Sequence, residues 1–286
     1  MTHHRRKFIK TLGTGLAVSA ISNRLLAAGS FLSPDSVHKN FGLQLYTLRD
    51  DSARDLEGVL RSVAELGYEG VELFDLHGHE PEQVRAWLDE LGLVAVGRHA
   101  GVDALESDLP GLADELRVLG TDRVALSWID PGTLGDGSEW VARIAAIAER
   151  ARELGLRLGF HNHAAELRPL AGGSSFLSLL GELPPDLLWL ELDLGWIWEA
   201  GVDPIELLER YRGRTPLVHV KDFGAHGGTE FRPVGDGAVG YERVLPAALS
   251  AGVEWLLVEQ DQVDGPALAA VERSLDAVRR MLAVPA

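Results

Sequence analysis

The chain has 286 residues, 46% hydrophobic and 24% charged, which allows one or two domains and excludes a largely disordered chain. Its 43 acidic and 27 basic residues give a net charge of −16, which argues against a nucleic-acid partner, because phosphate binding needs cations that displace counterions. With no cysteine, disulfides, thiolate nucleophiles and cysteine metal sites are excluded, and a chain this long buries enough apolar surface to fold without them.

The first thirty residues read as an address. Arg5-Arg6-Lys7-Phe8-Ile9-Lys10 is a twin-arginine sequence, followed by an apolar stretch over 11–21 rich in Gly, Ala and Thr. The small residues Ala27, Ala28 and Gly29 then offer a cleavage region. The apolar run is too short and too glycine-rich for a transmembrane helix. The expectation is a twin-arginine signal peptide over 1–30 and one catalytic domain over 31–286. The protein is then exported, periplasmic, and without stable membrane association after cleavage. His3 and His4 fall in the segment set aside.

Beyond the signal, short β-rich runs occur at 41–46, 70–74, 93–97, 123–127, 156–161, 187–194, 216–220 and 254–259. They alternate with amphipathic helix candidates at 56–66, 80–91, 112–119, 139–154, 204–211, 241–251 and 266–282. In the first helix Leu56, Val59, Leu60, Val63 and Leu66 recur at three- and four-residue spacing. Gly67, Gly92, Gly120, Gly155 and Gly252 follow helix ends, where glycine accepts a left-handed cap. Alternation predicts a parallel sheet, and eight strands predict closure into a single (β/α)8 TIM barrel. An open doubly wound sheet is the competing fold, but no glycine-rich nucleotide fingerprint follows the first strand.

In such a barrel the chemistry belongs at the C-terminal strand ends. Polar residues fall there in turn: Gln44 and Tyr46, Glu72, His99, Ser127 and Trp128, His161 and His163, Asp193, His219 and Lys221, Glu259 and Asp261. Strand residues two apart point the same way, so His161 and His163 share a face, as do His219 and Lys221. A lone histidine at a strand end is more often structural, Asp193 could cap the next segment, and Glu259 could pair with a lysine. Four such groups on the fifth to eighth strands shift the reading to a divalent cation: Mn²⁺, Mg²⁺, Co²⁺ or Zn²⁺. Trp128, Trp196 and Trp198 lie just beyond the fourth and sixth strands, where aromatic faces stack on sugars or simply pack. Arg232 follows the seventh strand and is a candidate for a substrate anion, with a solvated loop arginine as its default.

Five runs carry a family resemblance: 42–49 (GLQLYTLR), 160–167 (FHNHAAEL), 191–204 (ELDLGWIWEAGVDP), 218–222 (VHVKD) and 258–261 (VEQD). Over about residues 40–280 the chain resembles the sugar phosphate isomerase/epimerase family of xylose-isomerase-like TIM barrels. In the ketose epimerases of that superfamily, glutamate, aspartate, histidine and glutamate on strands five to eight hold the metal. Three of these carry over by motif, to Asp193, His219 and Glu259. At strand five His161 stands in place of the glutamate, with Glu166 five residues later. Either His161 ligates instead or Glu166 reaches back, and the expected set is His161, Asp193, His219 and Glu259.

The resemblance implies a metal-dependent sugar isomerase or epimerase acting on a free or keto-sugar derivative. The metal polarises a carbonyl and stabilises an enediolate after a base removes the neighbouring proton. Glu259 or Glu166 is the candidate base, His163 the proton partner, and Lys221 the group that stabilises oxyanion charge. Asp261 and Glu191 are nearby carboxylates that compensate for the neutral histidine. Substrate contacts fall to Gln44, Tyr46, Glu72, His99, Trp128, Trp196, Arg232 and Asp261. Epimerisation, isomerisation and elimination share the first step, so a 3-keto-glycoside lyase stays open. So do a non-catalytic exported sugar-binding protein and an endonuclease-IV-like repair enzyme, the last opposed by the net charge. The partner is a small-molecule sugar, with a homo-oligomer left open.

Overall fold

Eight short, largely buried strands make the frame: β1 (Asn40–Gln44), β2 (Gly70–Leu73), β3 (Val94–Ala100), β4 (Arg123–Leu126), β5 (Arg157–His161), β6 (Trp189–Asp193), β7 (Leu217–Val220) and, after a small antiparallel ribbon of β8 (Asp222–Phe223) and β9 (Phe231–Arg232), β10 (Trp255–Val258). The computed structural model describes residues 40–227 and 230–284, so the expected signal segment lies outside the described residues. Consecutive barrel strands pair in parallel, and β10 returns to pair with β1, with Leu43 opposite Val258. The fold is a closed (β/α)8 barrel, and the open doubly wound sheet is excluded.

The helices are α1 (Arg49–Glu65), α2 (Pro81–Leu91), α3 (Val102–Ser107), α4 (Leu109–Leu119), α5 (Ser138–Glu153), α6 (Phe176–Leu180), α7 (Leu194–Glu199), α8 (Pro204–Arg210), α9 (Tyr241–Ser250) and α10 (Ala267–Met281). The helix expected from residue 56 begins at Arg49 instead, with a kink at Asp55 (φ −158°, ψ 82°) that interrupts the apolar periodicity. The short helices α3, α6 and α7 were not expected, because five or six residues are too few to show a 3.6-residue period. Two of them begin at capping side chains: Ser175 accepts from Ser178 N, and Asp193 from Trp196 N. Among the described residues no helix is long and apolar enough to cross a membrane.

Two apolar layers position the site. The larger lies between strands and helices, where the predicted face of α1 (Leu56, Val59, Leu60, Val63) is buried. The smaller fills the lower barrel with Val96, Ala125, Trp189, Leu217 and Leu257, flanked by Trp255. The two indoles need glycine beside them. A Cβ at Gly159 would sit 2.3 Å from the Trp189 ring, and one at Gly70 would sit 2.8 Å from Trp255.

Above this floor, two-residue alternation makes the interior polar. β6 runs Trp189, Glu191, Asp193; β7 and its end run Leu217, His219, Lys221; β10 and its end run Leu257, Glu259, Asp261. β3 breaks the rule. Val71 pairs with Ala95 but Glu72 with Gly97, leaving Val96 as an extra residue. Plain alternation from the inward Val96 would aim Arg98 into the barrel. The bulge sends Arg98 outward to an ion pair with Glu115 of α4 and turns His99 inward.

Candidate metal centre and substrate cavity

The polar strand ends converge as the alternation predicts. In register, His161 lies opposite Glu191, Asp193 opposite His219, and Gln44 opposite Glu72. Barrel closure then brings non-neighbouring strands together. The rings of His99 and His219 stack with centroids 5.3 Å apart, and those of His161 and His219 lie 4.5 Å apart. Two overlapping groups have ligand atoms all within 4.8 Å of one another: His99, His161, Glu191, His219; and His161, Asp193, His219, Glu259. The second is the set expected from the sequence.

The lower group is centred on Glu191. Its Oε2 lies 2.6 Å from His99 Nε2, 3.4 Å from His161 Nδ1 and 3.5 Å from His219 Nε2. Glu72 Oε2 lies 2.8 Å from His219 Nε2 and 3.3 Å from His99 Nε2, and it accepts from Gln44 Nε2 at 2.7 Å. Gln44 Oε1 in turn accepts from Tyr46 N. The upper group is built on Lys221, whose Nζ lies 2.9 Å from Asp193 Oδ2, 2.9 Å from Glu259 Oε2 and 2.8 Å from Asp261 Oδ1. Tyr241 holds this residue from below, its hydroxyl accepting from Lys221 N and donating to Lys221 O. His219 joins the groups, with Nδ1 2.7 Å from Glu259 Oε2.

Burial sets the electrostatics. It pushes the carboxyls of Glu72 and Glu191 above the usual range, and the nearby carboxylate charges add to the effect. It pushes His161 well below the ordinary histidine value, helped by neighbouring imidazoles and by Lys221. His163 falls to about 3 for the same reasons and is a neutral imidazole. Burial also opposes the charged forms of His219 and Lys221, but the surrounding carboxylates outweigh it and raise both well above their ordinary values. Glu259 is buried too, yet Lys221 and His219 hold its carboxyl below the usual range. Asp261 is raised to about 6 by burial, against the pull of Lys221.

The donor set fits a divalent cation. His161 Nδ1, Glu72 Oε1 and Glu191 Oε1 are buried and make no hydrogen bond, although buried polar atoms nearly always find a partner. Imidazoles mixed with carboxylates suit a borderline or hard divalent ion.

Above the cluster opens a cavity of about 430 Å³, lined by Tyr46, Arg49, Phe74, His99, Trp128, His161, His163, Glu259, Asp261 and Gln262, among others. Tyr46, His99, Trp128 and Asp261 thus stand where substrate contacts were expected. Gln44 and Glu72 do not: both are fully buried beneath the histidines. Trp196 packs against Phe223, Phe231 and His163 rather than lining the cavity. Glu166 is a further correction, since its Oε2 turns back to accept from His163 N at 2.9 Å, and it shapes the loop after β5 instead of reaching the cluster. Arg232 is another, exposed on β9 and paired with Glu230. The guanidinium at the cavity belongs to Arg49, which the sequence reading passed over. It donates to Tyr46 O and lies 4.5 Å from the centre of the Tyr46 ring. Its position at the end of the 42–49 run was the available signal.

Comparison with known proteins places this barrel. An inosose dehydratase of Geobacillus kaustophilus is 30% identical over 192 residues, covering 57% of this chain and 61% of that protein. The chain therefore spans less than two thirds of that relative's length. A sugar phosphate isomerase/epimerase from Parabacteroides distasonis superposes with a TM-score of 0.73 at 21% identity, covering 89% of this chain and 99% of its own. The IolI protein, solved with a bound zinc atom, superposes with a TM-score of 0.68 at 14% identity, covering 85% and 98%. At these identities the two structures establish a shared fold. The sequence pattern of the xylose isomerase-like TIM barrel matches residues 60–281, from within α1 to the last residue of α10, and the chain belongs to that family.

Proposed function

We propose that the protein is a divalent-metal-dependent enzyme that removes a proton next to the carbonyl of a keto-sugar or cyclic keto-polyol. The observation that carries this reading is the layering of the barrel mouth. Imidazoles and carboxylates converge at the floor of the cavity, and ionisable groups stand on its wall above them. A bound divalent ion supplies polarisation of a carbonyl and stabilises the charge that develops on its oxygen.

The chain's own residues handle the proton. Asp261 lines the cavity with a carboxyl raised to about 6, near the range where a general base works best. Lys221 holds Asp261 and Glu259 from behind, through Nζ, and fixes their orientation. His163, kept neutral by burial, stands on the wall from the β5 side, whereas Asp261 and Glu259 come from the β10 side. Asp261 can therefore take the proton, while His163 faces the substrate from the other side as a neutral hydrogen-bonding group. Tyr46, Phe74 and Trp128 give the cavity aromatic faces of the kind that pack on sugar C–H bonds.

Loss of water from the carbon beyond the deprotonated one is the outcome we favour, because the inosose dehydratase is the relative most similar in sequence among those described above. Isomerisation or epimerisation is the second reading, and it uses the same first step. The Arg5–Lys10 run supports export by the twin-arginine route. A fusion of 1–30 to a folded reporter should reach the periplasm and stop doing so when Arg5 and Arg6 become lysine.

The test of activity is solvent deuterium exchange followed by NMR. Keto-inositols and 3-keto-glycosides are incubated in D₂O with the protein and Mn²⁺, Co²⁺ or Zn²⁺. Label should enter a carbon next to the carbonyl, and EDTA should stop it. Binding of several candidates without exchange, unchanged by EDTA, would instead establish a sugar-binding protein.

A further inference from the structure

Arg49 is the arginine on the cavity wall, and among the described residues no carboxylate neutralises it. Other guanidiniums are taken: Arg54 pairs with Asp51, Arg98 with Glu115 and Arg232 with Glu230. Arg49 instead donates from Nη1 to Tyr46 O at 2.9 Å and lies 4.5 Å from the centre of the Tyr46 ring. Its remaining N–H donors have no protein partner among the described residues. Glu259 and Asp261 line the same cavity, yet neither pairs with it.

The platform beneath this guanidinium is braced. Tyr46 lies in the single turn Leu45–Leu48, its N–H donates to Gln44 Oε1 at 3.1 Å, and its ring meets Phe74 edge-on at 5.4 Å. A guanidinium stacked on such a ring and tied to a carbonyl has lost much of its rotamer freedom before a ligand arrives. Binding through it then costs less entropy than binding through a solvated surface arginine. Gln262 lines the same side of the cavity, just beyond β10, the strand that pairs with β1. Its side-chain amide also has no partner among the described residues.

We propose that Arg49 binds a carboxylate of the substrate, with Gln262 donating to the same group, so that the keto-sugar or keto-polyol handled here is an acid. This rests on the reading of the cavity as the substrate site and narrows the substrate class. Charge favours a carboxylate over a phosphate. One planar guanidinium matches the two oxygens and the single charge of a carboxylate. A phosphate monoester carries up to two charges, whereas no lysine and no second arginine lines the cavity and Glu259 and Asp261 stand on its wall. The anion contact expected of Arg232 thus falls to the first residue of α1.

Calorimetry on the full chain with Mn²⁺ present compares acids with neutral counterparts: D-glucuronate with D-glucuronamide, D-galacturonate with D-galactose, and 5-keto-D-gluconate with L-sorbose. At least one acid should bind about 10-fold or more tightly than its counterpart, the gain expected of one charge-assisted contact. Arg49→Gln should remove that preference while the neutral ligands keep most of their affinity. Arg49→Lys, which keeps the charge and loses the fork, should retain only part of it. A loss confined to the acids separates recognition from a structural role, since collapse of the Tyr46 platform would weaken both members of a pair. Circular dichroism checks the fold of each variant, and Arg49→Lys decides the matter if Arg49→Gln does not fold. Equal affinity within every pair, or no binding by any ligand, would overturn the proposal, as would an acid preference that survives in Arg49→Gln. Tighter binding of glucose 6-phosphate than of D-glucuronate would overturn the choice of carboxylate. The readout does not depend on turnover: an acid preference that Arg49→Gln removes stands even where no deuterium exchanges, and the proton-abstraction reading then falls alone.

Discussion

Lys221 shows why residue type alone does not assign a role. A lysine beside a histidine at a strand end invites a place in the oxyanion pocket, yet its ammonium is held by Asp193, Glu259 and Asp261. The next residue works as an anchor. Asp222 accepts backbone N–H groups from Phe223, Gly235, Gly237 and Val239 at 2.9–3.2 Å and so ties down the loop between β9 and α9. Asp222→Ala leaves these donors without their acceptor and should lower stability by about 2–3 kcal/mol. Denaturant unfolding would measure that loss, and limited proteolysis should show new cleavage within 230–239. Glu166 and Arg232 stand away from the cluster for a common reason. Both lie beyond the barrel strands, Glu166 in a short turn after β5 and Arg232 in the β8–β9 ribbon, where direction is set by local geometry and neighbouring charges rather than by barrel alternation.

At the scale of elements, the strands were readable and the short helices were not. All eight expected barrel strands form, with ends displaced by up to three residues, because apolar β-rich runs bounded by glycine leave few alternatives. The ribbon of β8 and β9 has only two residues in each strand, too few to carry a period. Packing inside the barrel adds a constraint that no periodicity reports. Trp189 of β6 lies against Gly159 of β5, where an added Cβ would meet the indole at 2.3 Å. Gly159→Ala must displace a large ring from a closed floor. It should cost about 1–3 kcal/mol, seen as a fall of several degrees in the thermal midpoint. Serine at the exposed Gly172, where nothing lies within 4 Å of an added Cβ, is the matched control and should leave the midpoint unchanged.

For the whole molecule, charge and closure matter most. The net charge of −16 opposes any long anionic polymer. The protein should therefore fail to retain duplex DNA, abasic or intact, in a gel-shift assay even at about 50 mM salt, where electrostatic binding is strongest. Retention that weakens with added salt would reopen the repair-enzyme reading. Closure also explains how the strand-end residues became one site. β3 and β7 are not neighbours in the sheet, yet His99 and His219 stack across the interior.

The barrel and the roster of polar strand ends were legible from short-range patterns alone: apolar runs, helix periods, and side chains that alternate every two residues. The same patterns also brought His161, Asp193, His219 and Glu259 onto one short list, and the fold gathers them within 4.8 Å. Three other outcomes came from contacts that only the folded chain makes. The extra residue in β3 reversed the parity and turned His99 inward. The turn after β5 sent Glu166 back to the backbone. Three-dimensional distance matched Lys221 to Asp193 and Glu259, leaving Glu191 and Glu72 among the histidines. Those outcomes depend on groups far apart in the chain competing for the same few ångströms, and no local pattern records who wins.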